Sequence, residues 1–271
     1  MKLQTDIVDH ELAIAEAFVS ARRAAAALTE YPGRPPSDLA QAYRIQDHAL
    51  RLDGRTVGAW KVGRINPPHD VRYGADRLAG PVFVPAIVAV GAGEVPVMPV
   101  YANGFAAAEA ELLLHVPATF TGPIPQTNDG VRDIVDTVRL GIEIASSPYA
   151  RINADGPLVT ASDFGNNAGL VVGPELADWR EVDLCAIPVR TEIDGAIVGE
   201  ATAATMLDGP FGAVRFLLAN LAGRGIGWSK GIWVSTGAIT GVHSIAAGQS
   251  AVALFGEFGQ VACRIVAATP S

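Results

Sequence analysis

The chain has 271 residues, 49% of them hydrophobic, and a formal charge of −8 at pH 7, enough length for one large domain or two small ones around a sizeable core. That charge leaves no basic field for nucleic acid or anionic lipid, and no apolar run approaches the length that spans a bilayer. Its 29 glycines and 18 prolines imply many turns, as in a β-rich protein. Cys185 and Cys263 match no metal-ligand or redox spacing, and the first ten residues lack the apolar core of a signal peptide. A soluble cytoplasmic protein with reduced thiols is expected.

From Asp6 to Glu30 the pattern is helical, with Ile14, Phe18, Ala21, Ala25 and Leu28 on one stripe. Tyr31-Pro32-Gly33 stops it. Ser37 is the expected cap of a second helix, with Asp38 in its first turn, Leu39, Tyr43, Gln46 and Leu50 facing in and Gly54 at its end. Residues 1–54 therefore read as a helical N-terminal cap, and 55–271 as a β-rich unit. Thr56 to Gly63 reads as a strand on which Val57, Ala59 and Lys61 share a face. Lys61 either snorkels to the edge or sits in a pocket, where desolvation lowers its pKa toward neutral. Arg64 to Asp76 is a polar loop, and short strands and turns follow to Pro99.

Phe105 to Val116 is a strand that sets Glu109 and Glu111 on one face, about 7 Å apart. They line a solvated face, or they are buried like charges that need a cation between them. A hard divalent metal with oxygen ligands suits the second case. Asn128 or Asp129 caps a short helix with Val131, Ile134, Val135 and Val138 on one side. Glu143 then stands alone in Leu140-Gly141-Ile142-Glu143-Ile144-Ala145, a third acid on an apolar strand. Asp163 to Gly169 is a turn-rich loop running into a strand, and Asp194-Gly195 signals a hairpin. Pro210 to Arg224 is an amphipathic helix. Trp233 to Gly241 is a strand entering a Gly/Thr loop, whose hydroxyls and amides suit a substrate carboxylate or ordinary turn chemistry. Ala251–Phe255 and Gln260–Ala267 form the last strand pair.

A set of stretches, in order, resembles one known group of enzymes: Tyr43-Arg44-Ile45-Gln46, Trp60-Lys61-Val62-Gly63, Glu109-Ala110-Glu111, Ile142-Glu143-Ile144, Asp163 through Gly169, Gly209-Pro210 and Ser235-Thr236-Gly237-Ala238. The group is the 2-keto-4-pentenoate hydratase and 4-oxalocrotonate decarboxylase family of the fumarylacetoacetate hydrolase superfamily. The resemblance implies an α+β fold, a mixed β-sheet roll of that superfamily's C-terminal type behind the helical cap. It implies that Glu109, Glu111 and Glu143 hold Mg²⁺ or Mn²⁺, with Lys61 and Asp163 as catalytic residues. Ser235, Thr236, Gly237 and Arg64 are the expected substrate contacts. Members act on 2-hydroxy-2,4-dienoates from aromatic meta-cleavage and are typically homo-oligomers.

The implied reaction is addition of water at C4 to give a 4-hydroxy-2-oxo acid, with Lys61 moving a proton and Asp163 orienting water. A decarboxylase is the alternative; Arg64 or Arg72 pairing a second carboxylate would favour it or a hydratase of a dicarboxylic dienoate. A C–C hydrolase using His69-Asp70 and a non-catalytic partner subunit stand further off. The chain departs from the family pattern at Arg64-Ile65-Asn66, where Leu-Thr-Ser is usual, in the loop 67–80, in Phe164-Gly165-Asn166-Asn167, and at Asp208, where His is frequent.

Overall fold

Strands supply most of the regular structure, and they fall into two sheets. The computed structural model describes residues 2–91 and 93–271, with side chains described from residue 9 onward. Helix α1 (Lys2–Ala24) buries Ile14, Ala15, Phe18 and Val19. It stops earlier than its periodicity suggests, because Ala25 turns left-handed at φ 49°. Helix α2 (Leu39–Asp53) is capped one residue later than expected. Asp38, in extended conformation, accepts from the Gln41 backbone amide at 2.8 Å, and the Gln41 side-chain oxygen accepts from the N–H of the preceding residue, Ser37. Gly54 ends the helix at φ 73°.

Strand β1 (Val57–Arg64) runs antiparallel to β2 (Arg77–Phe83), with the short helix α3 (His69–Tyr73) between them. A loop was expected there, since five residues are too few to display a helical stripe. Next come β3 (Ile87–Ala89), β4 (Val97–Val100) and β5 (Phe105–Val116). Helix α4 (Asn128–Ile134) is capped by the Thr127 hydroxyl, which accepts from Gly130 N–H, rather than by Asn128 or Asp129. Strand β6 (Thr137–Ser147), helix α5 (Pro157–Ser162) and strand β7 (Asn167–Glu175) follow. The hairpin β8 (Pro188–Ile193) and β9 (Ala196–Thr202) turns on Asp194 and Gly195, both at positive φ, as that turn requires. Helix α6 (Gly209–Gly223), strands β10 (Ile232–Ser235), β11 (His243–Ser244), β12 (Ser250–Phe255) and β13 (Gln260–Ala267) complete the chain.

The larger sheet runs β2-β1-β10-β5-β6-β7-β3, with β11 also on β5, and the smaller β4-β13-β12-β8-β9. Leu112, Leu114, Leu140 and Ile142 of β5 and β6 pack with Val214 and Leu217 of α6 and with Phe255 and Val261 of the second sheet. Helices α1 and α2 pack through Ile14, Phe18 and Ile45 against Phe83, Tyr149 and Phe164. On the other face of β5, Leu113 packs with Ala59, Val82 and Leu170, and every residue from Ala107 to Leu114 is buried. The half-solvated reading of its alternation gives way, and its acids lie inside. Among the described residues no helix is long and apolar enough to cross a membrane.

Candidate active site

Pairing of β5 with β6 sets Glu109 directly opposite Glu143, and Glu111 opposite Gly141. Like charges in facing positions repel, and all three acids are at most 4% exposed. One oxygen from each lies within 4.8 Å of the others. Lys61 stands on β1, beyond β10 and β5 from Glu143. In a flat sheet those strands are about 14 Å apart; because the sheet curls, Lys61 Nζ reaches Glu143 Oε2 at 3.3 Å.

Neighbouring residues fix each acid. Glu111 Oε2 accepts from the Ser235 hydroxyl and from Gly237 N–H at 2.9 Å. Asn167 Nδ2 donates to Glu143 Oε1 at 2.9 Å. That leaves Glu111 Oε1 and Glu143 Oε2 buried without a hydrogen bond, since the Lys61 contact is an ion pair of poor hydrogen-bond geometry. Buried polar atoms without partners are rare in folded proteins. Three acids against one lysine leave uncompensated negative charge in a dry place, and the orphaned oxygens fit a hard divalent cation.

The electrostatics follow. Burial pushes Glu109 up, Lys61 pulls it back and Glu143 pushes again, leaving it at about 7. Burial, with Glu143 and Glu109 beside it, holds Glu111 well above the carboxylate range. For Lys61 desolvation acts downward, but Glu143, Glu109 and Glu111 outweigh it and raise the pKa. The expectation of a lysine lowered toward neutrality is thus reversed without a bound cation, because three acids surround it.

Two members of the cluster, Lys61 and Glu109, line a cavity of about 690 Å³, with Arg64, His69, Arg77 and Asn166 among its walls; Glu111 and Glu143 lie behind them, outside the lining. Thr236 and Gly237 also line it, though the Thr236 hydroxyl donates to Leu112 O. Ser235 does not line the cavity; its hydroxyl positions Glu111. Asp163 does not line it either. Arg22 Nε donates to its Oδ1 at 2.6 Å, while Arg22 Nη2 and the Ser147 hydroxyl donate to Oδ2 at 2.9 and 2.6 Å. A water-orienting Asp163 is not what the geometry shows; both its oxygens are engaged away from the cavity. Arg72 lies over the Tyr73 ring, outside the lining.

Sequence reasoning missed Arg22, Asn166 and Asn167. Arg22 Nη1 donates to Asn167 O at 2.9 Å, Asn166 Oδ1 lies 3.4 Å from Lys61 Nζ, and Asn167 holds Glu143. Gly165, at φ 61°, lets the loop lie against the lysine: a Cβ there would stand 3.1 Å from Lys61 Cδ. Gly80 is needed for a similar reason, since its Cβ would fall 2.1 Å from Phe164 O. The available signal was two amides next to a glycine at the mouth of a strand.

No family model matches the chain. A 4-oxalocrotonate decarboxylase of Pseudomonas putida is 29% identical over 158 residues, 58% of this chain and 59% of that relative. A second, from Pseudomonas sp. (strain CF600), is 27% identical over 153 residues, 56% of this chain and 55% of the relative. The matches thus span less than two thirds of each curated relative's length. The solved 4-oxalocrotonate decarboxylase from Pseudomonas putida G7, complexed with magnesium and adipate, superposes with a TM-score of 0.78 at 22% identity, over 95% of this chain and 98% of that one. Fumarylpyruvate hydrolase from Pseudomonas aeruginosa, in complex with Mn²⁺ and pyruvate, gives 0.57 at 16% identity, over 78% and 90%. These likenesses show that the chain has the α+β fold of those solved enzymes, and the names of the curated relatives agree with the resemblance read from the sequence.

Proposed function

We propose that this chain is a metal-dependent lyase that adds water to a 2-hydroxy-2,4-dienoate, by way of the 2-oxo-3-enoate, to give a 4-hydroxy-2-oxo acid. The observation that carries the reading is the meeting of Glu109, Glu111, Glu143 and Lys61 in one buried cluster, of which Glu109 and Lys61 line an open cavity. Mg²⁺ or Mn²⁺ held by Glu109, Glu111 and Glu143 would supply Lewis acidity toward the C1 carboxylate and C2 oxygen of a 2-oxo acid.

The chain's own residues do the rest. Lys61 lines the cavity and is the group placed to move protons. Its ammonium delivers a proton to the terminal carbon of the dienol as the 2-hydroxyl gives its own proton up, a tautomerisation that makes C4 electrophilic; water then adds its hydroxyl to C4 and its proton to C3. Asn166 holds Nζ in place from one side and Glu143 from the other. Asn66, Asn153 and Thr160 give the cavity wall a polar lining that admits the attacking water. Asp163 acts as a positioning residue: through Arg22 it fixes the backbone of Asn167, and Asn167 orients Glu143.

Decarboxylation is the second reading, favoured by the names of the curated relatives. It shares the floor of the site and differs at the far end. There a second carboxylate would meet Arg64 and Arg77, a lining that suits this reading and hydration of a dicarboxylic dienoate alike.

Mixing the protein and Mg²⁺ with 2-hydroxypenta-2,4-dienoate should abolish the dienol absorbance. Glu109→Gln and Glu143→Gln should each cut the rate at least about 100-fold, as loss of a metal ligand does, and weaken Mg²⁺ binding measured by calorimetry. Full activity in either variant or in EDTA-treated protein would defeat the proposal. Release of CO₂ from 2-oxohex-3-enedioate, with no hydration of the monocarboxylate, would replace it with the second reading.

A further inference from the structure

One part of the cavity lining is amide and hydroxyl, where Asn153 accepts from both Asn166 and Thr160. Another part is hydrocarbon, contributed by Ala201, Met206, Leu207 and Val242. These four come from separate stretches of the chain. Ala201 lies near the end of β9, the edge strand of the smaller sheet. A Cβ at Gly199 would stand 2.6 Å from the His243 ring, so the missing side chain lets that strand lie on the turn before β11. Ala201, two residues on, shares the face of Gly199 and so comes to the same lining as Val242. Met206 reaches the carboxylate cluster. Its Cε lies 3.3 Å from where a Gly237 Cβ would be, and the Gly237 amide holds Glu111. Leu207 and Val242, 41% and 52% exposed, stand at the mouth.

Single exposed apolar side chains are ordinary. A hydrocarbon path from the carboxylate cluster to the mouth of one cavity is different, because apolar surface gathered in one place is surface that a ligand or partner covers. A protein partner would rest on Leu207 and Val242 and leave Met206 wet. A slender group entering the cavity covers all three, and the pliant thioether adapts to its shape. Size agrees: the cavity, about 690 Å³, falls among pockets of about 300–1,000 Å³ that enclose drug-sized ligands. A bare pentadienoate would leave most of it to water. Nor do the arginines of the lining call for a charged far end, since Arg77 is paired with Asp208 and Arg64 is exposed to solvent.

We infer that Met206, Leu207 and Val242 form a hydrocarbon subsite, and that the substrate is a 2-hydroxy-2,4-dienoate bearing an apolar substituent on C5. This rests on the reading of the carboxylate cluster as a metal-assisted 2-oxo acid site, and adds to it the group that the substrate carries at its far end. With C1 and C2 at the cluster, the substituent passes Met206 and leaves toward Leu207 and Val242. Its contribution to binding then grows with the apolar area it buries.

The test uses unreactive saturated probes of rising length: 2-oxobutanoate, 2-oxohexanoate and 2-oxooctanoate. Binding is measured by calorimetry at two temperatures with the full chain and saturating Mg²⁺, and binding in EDTA is subtracted. Each added methylene should tighten binding about fourfold, and the heat capacity of binding should grow more negative with chain length. Two substitutions probe the wall: Leu207→Asn, which suits the positive φ of that position, and Val242→Thr, which keeps the shape and adds a hydroxyl. Together they should cut the gain to about twofold per methylene. 2-Oxoadipate, with a carboxylate in place of the terminal methyl, should bind more weakly than 2-oxohexanoate. Affinity that stays level from 2-oxobutanoate to 2-oxooctanoate, a gain that survives the double substitution, or tighter binding of 2-oxoadipate overturns the inference and leaves the metal-site reading standing. Failure of every probe to bind in a Mg²⁺-dependent way removes that reading, and this inference with it.

Discussion

A carboxyl group buried at 4% exposure would stay protonated at neutral pH without help, and Glu109, at about 7, stands close to that limit. Its value lies above the 4.5 of an unperturbed glutamate, so between those pH values the folded chain binds more protons than the unfolded one. Stability of the metal-free protein is then full below about 4.5 and falls as the pH rises toward 7. A divalent cation that binds the ionised cluster reverses the trend, since it stabilises the folded state and displaces the proton. Melting curves between pH 5 and 8 should show the midpoint falling with pH in EDTA and the fall removed by Mg²⁺. A midpoint in EDTA that rises over this range would mean the acids are already compensated. The three acids were legible because each interrupts an apolar strand. For Lys61 the residues alone left snorkelling and a pocket open; the structure buries it, and the direction of its shift was hidden because the number of acids around it depends on how the sheet curls. Arg22 was not legible: an arginine within a helix reads as solvated until the helix is docked.

At the scale of elements, the segment from α5 into β7 positions the floor. Phe164, Gly165 and Asn166 all have positive φ, a run that side chains resist. Burial holds it: Phe164 is fully buried, its ring edge-on to Phe83 at 5.1 Å, with the Arg22 guanidinium over it. Strained backbone persists where its surroundings over-determine it, and the ion pair between Arg22 and Asp163 is the polar half of that constraint. Removing one partner of a buried pair costs about 3–5 kcal/mol. Arg22→Met should therefore lower the unfolding free energy by about that amount in urea titrations, and Asp163→Asn somewhat less, because an amide still accepts from Arg22. If Asp163 acted on water directly, Asp163→Asn would cut kcat with stability intact, and the positioning role would be wrong. The loop character of 163–167 was readable from its Gly and Asn content. Helices α3 and α5 were not, since five or six residues hold no full amphipathic stripe.

Across the whole molecule, Asp208 ties three parts of the cavity rim together. Its carboxylate accepts from Arg77 of β2 on one oxygen and from Arg215 of α6 on the other, while its backbone carbonyl accepts from Asn128 Nδ2 at 2.7 Å at the start of α4. Just before it, Thr205, Met206 and Leu207 line the cavity, with Leu207 at φ 24°. Sheet, helix and rim loop thus share one half-buried acid. Partial burial acts to raise the Asp208 pKa, but the two arginines outweigh it and hold the carboxyl below its usual range. For a depressed carboxylate, the stabilisation is present above the unfolded value and is lost as the pH falls through the folded one. The clamp is therefore intact at neutral pH and releases only in acid. Asp208→Ala leaves Arg77 and Arg215 facing each other without a counter-ion. The expected loss is about 1–2 kcal/mol of stability, modest because the acid is partly solvated. The larger effect should be local: limited proteolysis at pH 7 should cut the 203–208 segment faster in the variant, and 0.5 M salt should narrow the difference by screening the two arginines. Equal cutting rates would mean that the rim is held by packing of Met206 against the core rather than by charge.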